Sequence, residues 1–446
     1  MKTITITFWV LMLGLSGLWL AANLPPSETM NVNSVKNLLE QYSGVLSIGA
    51  MSIAMILATR STQLDRWLHG LDKCYRLHKW LGIAALVGSV AHWVFINWLS
   101  WAIALGVLEA TNRQRPTGDR PEVGAVQTFF NSQRGTAEML GEWAFYATVV
   151  LIVIALTRRI PYRLFAKIHT LIAVVYLILV YHAVVLMDFE AWSHPIGIVT
   201  ALLMIGGVIV ALLALTRQIG RRRQVTGRIA EIRKFPSMQI MGAEIAINSD
   251  WPGHRAGQFA FVTFDKKEGA HPFTIASAWD ASAPSITFIS KALGDYTERM
   301  PSVLSAGDDV TIEGPYGHFT FDDGKDRQIW IGAGIGITPF IARMRHLAMQ
   351  GDGKQIDLIH VVPEIAPEAR ALLETDVAAA GIDLHLMRDA EEGRLSGTRL
   401  REMVPEWNMA SVWFCGPSTF GQALREDLVT HGLHPSDFHQ ELFNMR

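Results

Sequence analysis

Four histidines stand in chain that is otherwise apolar enough for lipid: His78 and His92 in HKWLGIAALVGSVAHW, and His169 and His182 in IHTLIAVVYLILVYHA. An ionisable side chain in a hydrocarbon environment is costly and marks function by default. A neutral imidazole is also a good axial ligand for haem iron, and two on one iron leave no open position, which favours electron transfer over oxygen binding. One such histidine alone would be read as an interior polar group bonded to a serine or a carbonyl. Four at matched depths on two helices read as two haem sites, His78 with His169 and His92 with His182, about 20 Å apart along the bundle at ~1.5 Å per residue. Fourteen residues turn a helix by ~1400°, so His78 and His92 share a face; thirteen leave His169 and His182 ~140° apart, which predicts a bend or a π-bulge between them. His69, in a basic loop, and His194, before Pro195, are read as interfacial residues.

Positioning such pairs requires membrane helices. The chain has 446 residues, half of them hydrophobic and 18% charged, with a net charge of −2 that argues against nucleic-acid binding. Almost all long apolar runs precede Arg217. About 20 apolar residues cross a bilayer, and six segments qualify or nearly do: 4–23, 43–59, 78–99, 141–157, 164–187 and 194–216. The first is read as a retained span, because Ala21-Ala22-Asn23-Leu24-Pro25-Pro26 is a poor cleavage site. Basic residues gather in alternate loops: Arg60, Arg66, Lys73, Arg76 and Lys79, then Arg158, Arg159, Arg163 and Lys167, then Arg217, Arg221, Arg222 and Arg223. That face is expected to be cytoplasmic, and with it everything that follows. Ser100 to Leu140 is then an external loop, polar at TNRQRPTGDRP. Two distant cysteines, Cys74 and Cys415, with no CxxC pattern, exclude zinc ribbons, covalent haem and iron–sulfur clusters.

The second half carries different chemistry. VTGRIAEIRK, MQIMGAEIAIN, GQFAFVTF, SITFIS and DVTIEG are short alternating runs that predict a small antiparallel barrel. After Gly324, strand-turn-helix units follow at RQIWIGAGIGITPFIARMRHLAMQ, IDLIHVV, PEARALLETDVAAAG, DLHLM and SVWFCG, predicting a parallel α/β sheet with ligands at the strand C-termini. Gly332, Gly334 and Gly336 leave a buried strand and open a helix, a place where phosphate can approach backbone N–H groups. The spacing is GxGxG, and a tight packing turn would explain it as well. The expected organisation is a haem-binding transmembrane domain over 1–217, an FAD-binding barrel over 218–323 and an NAD(P)-binding α/β domain over 324–446.

HPFTIAS (271–277), GQF (257–259), EGPYG (313–317), GAGIGITP (332–339) and CGP (415–417) together resemble the ferredoxin-reductase superfamily. With the paired histidines, nearly the whole chain resembles the ferric reductase and NADPH oxidase family. The resemblance implies FAD at His271, Pro272, Phe273 and Thr274. His271 would face the pyrophosphate, where many relatives have arginine; Phe273 would lie along the flavin, and Thr274 would hydrogen-bond its ring. Lys291, Gly294 and Thr297, in KALGDYT, would complete the phosphate site, and a lysine beside a glycine turn is a sound anion nest. Gly332, Gly334, Gly336, Thr338, Pro339, Gly416 and Pro417 would cradle the nicotinamide dinucleotide, with the Cys415 thiol beside the nicotinamide. Phe443, in the ending Glu441-Leu442-Phe443, would cover the flavin until nicotinamide displaces it; a packing aromatic is the plain alternative. NADPH-using relatives place a basic residue after the second dinucleotide strand, whereas this chain has Pro363 and Glu364 there and Arg370 further on, so NADH fits at least as well as NADPH.

The implied path runs from cytoplasmic NAD(P)H through FAD and two b-type haems to an external acceptor, ferric chelate or oxygen. The setting is the inner (plasma) membrane. Two other readings compete: an electron-delivery subunit for a periplasmic protein docked on the 100–140 loop, and a membrane sensor whose histidines are structural.

Overall fold

The computed structural model of the protein describes residues 2–23, 31–109, 124–157, 160–247 and 250–441. These divide into a helical unit drawn from residues 1–68 and 73–219 and a sheet-bearing unit drawn from 69–72 and 220–445.

The helical unit contains α1 (Lys2–Asn23), α2 (Val32–Leu57), α3 (Thr62–Leu68), α4 (Leu71–Ala104), α5 (Ala125–Leu156), α6 (Tyr162–Leu186) and α7 (Pro195–Leu215). Asn31 starts α2 by accepting hydrogen bonds from the backbone N–H groups of Asn33 and Ser34, both at 2.9 Å. The chain turns by 107° between α2 and α3, with Arg60 in the left-handed region at φ 54°. Large apolar side chains such as Val87, Trp143 and Leu202 face outward, as expected of helices solvated by lipid. Among the described residues, five helices are long and apolar enough to cross a membrane, or six if α2 and α3 form one bent span. The expected external loop is shorter than 100–140. Helix α4 runs on to Ala104 and α5 already begins at Ala125, since a helix need not stop where its apolar stretch stops. The polar run 111–121 lies outside the described residues, as do Arg158 and Arg159.

The second unit opens with β1 (Gln224–Phe235), β2 (Ile240–Ile247), β3 (Phe259–Thr263), β4 (His271–Thr274), β5 (Ser285–Lys291), helix α8 (Asp295–Val303) and β6 (Asp309–Tyr316). The strands form an antiparallel sheet of order β4-β3-β6-β1-β2-β5. Alternate residues of β2 and β5 are buried, as a sheet with one face on a core requires. An isolated bridge from Ile275 to Phe288 ties the chain after β4 to β5.

The chain continues with β7 (Arg327–Ala333), α9 (Thr338–Gln350), β8 (Gln355–Val362), α10 (Pro367–Ala380), β9 (Asp383–Arg388), α11 (Asp389–Glu392), α12 (Gly397–Met403), β10 (Ser411–Cys415), α13 (Ser418–Thr430) and β11 (Phe438–Gln440). All five strands are parallel, in the order β11-β10-β7-β8-β9. The order reverses between β7 and β10, so the crevice beyond their C-terminal ends is the ligand position for this topology.

At the opposite, N-terminal end of the central strands β7 and β10, Asp323 gathers four donors. It accepts from Lys354 Nζ at 2.8 Å, Gln328 Nε2 at 3.0 Å, Trp413 Nε1 at 3.1 Å and the Ser411 hydroxyl. Burial alone would raise its pKa, but these hydrogen bonds prevail and bring it down to about 2. A depressed carboxylate stabilises the fold above its unfolded value of about 3.9, and that contribution disappears as pH falls through the folded value. Asp323→Ala is therefore expected to cost about 1–3 kcal/mol at neutral pH by leaving the Gln328, Trp413 and Ser411 donors and the half-buried Lys354 without their shared acceptor. Melting of the full chain in detergent should show this, with the gap between variant and parent closing from about pH 4 to pH 2; an unchanged melting temperature at pH 7 would rule it out.

Candidate functional site

Helices α4 and α6 bring the four histidines together in the two expected pairs. The ring centroids of His78 and His169 lie 5.9 Å apart, and those of His92 and His182 lie 6.3 Å apart. With metal–nitrogen bonds of about 2 Å, two axial imidazoles on one iron would place their ring centres roughly 6 Å apart. Helix α6 reaches both partners as an uninterrupted α-helix with no π turn. The azimuthal difference between His169 and His182 is thus absorbed by side-chain direction, and the expected π-bulge is absent.

The remaining ring nitrogens explain how the pairs are held. His78 Nδ1–H donates to the Ala54 carbonyl at 2.8 Å, His92 Nδ1–H to Glu40 at 2.9 Å and His182 Nδ1–H to Ala137 at 2.8 Å. A carbonyl can only accept, so each of these rings keeps its lone pair on Nε2, the tautomer a metal ligand needs. Two of these carbonyls are reachable because glycine stands four residues on. A Cβ on Gly141 would lie 2.0 Å from His182 Nδ1, and one on Gly44 would lie 3.2 Å from His92 Cε1. The third carbonyl belongs to the last turn of α2, where helix acceptors go unused. Glycines 44 and 141 were not singled out in the sequence; glycine within an apolar helix, level with a histidine, was the available signal.

Helix α4 itself is set apart. The helix pairs with extended backbone seams are α5–α6, α2–α7, α6–α7, α2–α6, α1–α2 and α1–α7. Helix α4 meets α2 closely at Gly88, whose Cβ position lies 3.7 Å from Ser47 Cα. No group of three or more His, Cys, Asp or Glu side chains suited to a metal ion occurs among the described residues. The donor set is therefore two pairs of imidazoles, and that set fits haem.

In the antiparallel sheet, three motifs far apart in sequence become neighbours. Strand β3, which carries Phe259 of GQF, pairs with β4 (HPFT) on one side and with β6 (EGPYG) on the other, Phe259 opposite both Thr274 and Tyr316. His271 stacks on Tyr296 of α8 at 4.7 Å and 21°, which brings it beside the 291–297 turn. Burial lowers its pKa, with Glu268 opposing, so at neutral pH the ring is a hydrogen-bonding group more than a fixed charge. Lys291 ends β5 and Gly294 caps α8. The Thr297 hydroxyl accepts from the N–H groups of Leu293 and Gly294 at 3.0 and 3.2 Å, so it shapes the turn. Phe273 is turned into the core against Phe264 and Phe288 and presents little surface; Pro272 and Thr274 are half-buried on the same edge strand.

In the parallel sheet, GAGIGITP and CGP leave adjacent strands. Gly332 on β7 is opposite Cys415 on β10. A single 3-10 turn, Gly334–Ile337, leads into α9, with Thr338 Oγ1 donating to Ile335 at 2.8 Å and Pro339 in the first turn. Gly334 sits at φ +57°, and a Cβ on Gly336 would lie 2.1 Å from the Cys415 carbonyl oxygen. Gly416 is as confined, its Cβ position 2.7 Å from Ala333 Cβ, and Pro417 precedes α13. The Cys415 thiol is pushed well up, chiefly by burial and also by the Glu441 carboxylate. Glu441 is itself buried, with Oε1 3.2 Å from the Cβ position of Gly317 in EGPYG. It thus links the two sheets' motifs, a role not read from the sequence. Phe443 lies outside the described residues.

Residues 43–180 match the family model for the ferric reductase like transmembrane component, and 239–320 match an FAD-binding domain. The first range contains His78, His92 and His169 and ends just before His182. The chain is similar to an NADPH oxidoreductase of Mycobacterium tuberculosis, 26% identical over 247 residues, which are 52% of this chain and 63% of that protein. It is also similar to ferric reduction oxidase 5 of Arabidopsis thaliana, 34% identical over 96 residues, 21% of this chain and 14% of that one. Less than two thirds of either relative's length is covered. Among solved structures, Amycolatopsis cytochrome P450 reductase is 20% identical with a TM-score of 0.43, covering 50% of this chain and 70% of that one. One polypeptide thus carries a segment similar to the ferric reductase like transmembrane component and, after it, a segment similar to an FAD-binding domain.

Proposed function

We propose that the protein is a transmembrane oxidoreductase that moves electrons from NADH or NADPH through FAD and two b-type haems to an external acceptor, ferric chelate or oxygen. The observation that carries this reading is the pair of imidazole pairs on α4 and α6, with ring separations of 5.9 and 6.3 Å. His78 and His169 hold one iron; His92 and His182 hold the other. Six spans, α2 with α3 counted as one, leave the basic loops and the reductase half on the cytoplasmic face of the plasma membrane. The domains follow the boundaries 1–217, 218–323 and 324–446, with the β4–β5 bridge closing the first sheet as a barrel.

When bound, FAD would supply two-electron to one-electron conversion, and haem held between the paired imidazoles would supply one-electron transfer. The chain's part is placement. His271, Lys291 and the Gly294 turn receive the flavin phosphates, and Thr274 bonds the ring from the edge of β4. The glycines after β7 and β10 let the nicotinamide dinucleotide approach the backbone between them. Cys415 stays a neutral thiol at that point, and Glu441 supplies a buried carboxylate for proton traffic. After β8 the chain offers Glu364, with Arg370 further on and paired to Glu374 at 2.8 Å, so NADH fits at least as well as NADPH.

The test is the visible spectrum of detergent-purified protein given NADH or NADPH without oxygen. Reduced b-type bands should appear with at least one nucleotide. A preparation that contains no haem would end this reading.

A further inference from the structure

The four histidines are not equivalent. Three donate from Nδ1 to a backbone carbonyl, while His169 Nδ1 is buried with no partner among the described residues. The sequence explains the difference. Reaching a carbonyl inside a helix takes a glycine four residues on, as at Gly44 and Gly141, or a helix end, as at Ala54. Helix α5, which anchors His182 through Ala137, packs antiparallel along α6, and after Gly141 it contains no further glycine. At the depth of His169 it presents only side-chain-covered backbone. What orients His169 is Phe165, one turn earlier on α6, stacked on the imidazole at 5.2 Å and 22°.

A hydrogen bond from Nδ1 raises the basicity of an imidazole ligand and fixes its ring; an axial ligand of higher basicity favours ferric iron and lowers the potential. We propose that His169 is the weak axial ligand of the set, held by stacking on Phe165 where the other three are held by hydrogen bonds. The His78–His169 position then has the higher reduction potential and is the one that exchanges a ligand. This rests on the haem reading above. It also implies that electrons pool at the His78–His169 layer and leave it against a small gradient, drawn on by the acceptor.

A redox titration of the purified full chain, followed by haem absorbance, should resolve two midpoints. His182→Ala, which keeps only the His78–His169 position, should retain the higher one. Carbon monoxide added to reduced wild-type protein should shift about half of the haem absorbance, by displacing His169 alone. Phe165→Gln places a side-chain carbonyl within reach of His169 Nδ1–H, so it should lower the higher midpoint, leave the other in place and suppress carbon monoxide binding. Phe165→Leu removes the stack without supplying an acceptor and should increase that binding. A higher midpoint lost in His182→Ala, or carbon monoxide binding at neither or both haems, would overturn the inference while leaving the haems in place. Protein without haem would instead defeat the reading beneath it.

Discussion

His182→Ala is expected to halve the haem content while FAD stays bound and reducible by nicotinamide. The imidazole is one of two ligands in its layer, facing His92 at 6.3 Å, and no other described histidine pairs with His92 there. Losing an outer-shell partner of a metal ligand typically costs about 10–100-fold in affinity or activity. Losing the ligand should exceed that, so reduction of an external acceptor should fall by more than about 100-fold. His92→Ala should behave alike. Haem-to-flavin ratios and acceptor kinetics on the same preparations separate the outcomes. Undiminished transmembrane transfer in either variant would mean that the histidines do not form the path. Gly141→Ala offers an independent check, because its Cβ would occupy the space of His182 Nδ1 without removing the ligand.

The second large effect lies in the reductase half. Gly336→Ala would put a methyl group 2.1 Å from the Cys415 carbonyl oxygen and 3.2 Å from the Gly416 nitrogen. Both are backbone atoms, so relief must come from parting the two loops that meet at the sheet's switch point. Overpacking of this kind costs about 1–3 kcal/mol. At ~1.4 kcal/mol per factor of ten, the apparent affinity for nicotinamide should drop roughly 5- to 100-fold. FAD and haem contents should stay at parental levels, since neither pair of histidines nor strand β4 is touched. KM for NADH and NADPH, together with anaerobic flavin reduction, would show it; kinetics like the parent's would remove this crevice as the nicotinamide site.

Much of this arrangement is visible in the sequence because it rests on periodicity and depth. The histidine layers follow from counting residues along two apolar helices, and the strands at 225–234, 285–290 and 356–362 from alternation or continuous burial. What escapes is of other kinds. The π-bulge inferred for α6 failed because a projection on an ideal helix treats side chains as radial spokes, whereas an imidazole on two rotatable bonds covers a wide arc. The turn between α2 and α3 hangs on one left-handed residue, Arg60, with no glycine or proline to mark it. Strand β11 has three residues and exists only because β10 offers an edge. Phe273 was assigned by resemblance to the flavin face, yet the alternation of β4 turns it inward. Glu441 and the glycines at 44 and 141 act through partners 26 or more residues away, which no local pattern reveals.

The position of α4 has a consequence for biogenesis. A 34-residue helix that buries Leu77, Leu81 and Ala85 but shares no extended backbone seam with its neighbours gains less from helix–helix packing than the closely paired helices do. Its place is fixed by the crossing at Gly88, by the hydrogen bonds of His78 and His92 to Ala54 and Glu40 of α2, and by whatever joins those two histidines to α6. Cofactor loading and bundle closure are then one equilibrium, and free cofactor stabilises the closed form by mass action. In a cell starved of haem, α4 is the element that would stay unlatched, and a loosened span is what membrane proteases recognise. The amount of protein accumulated would then follow the supply of porphyrin as well as the rate of translation.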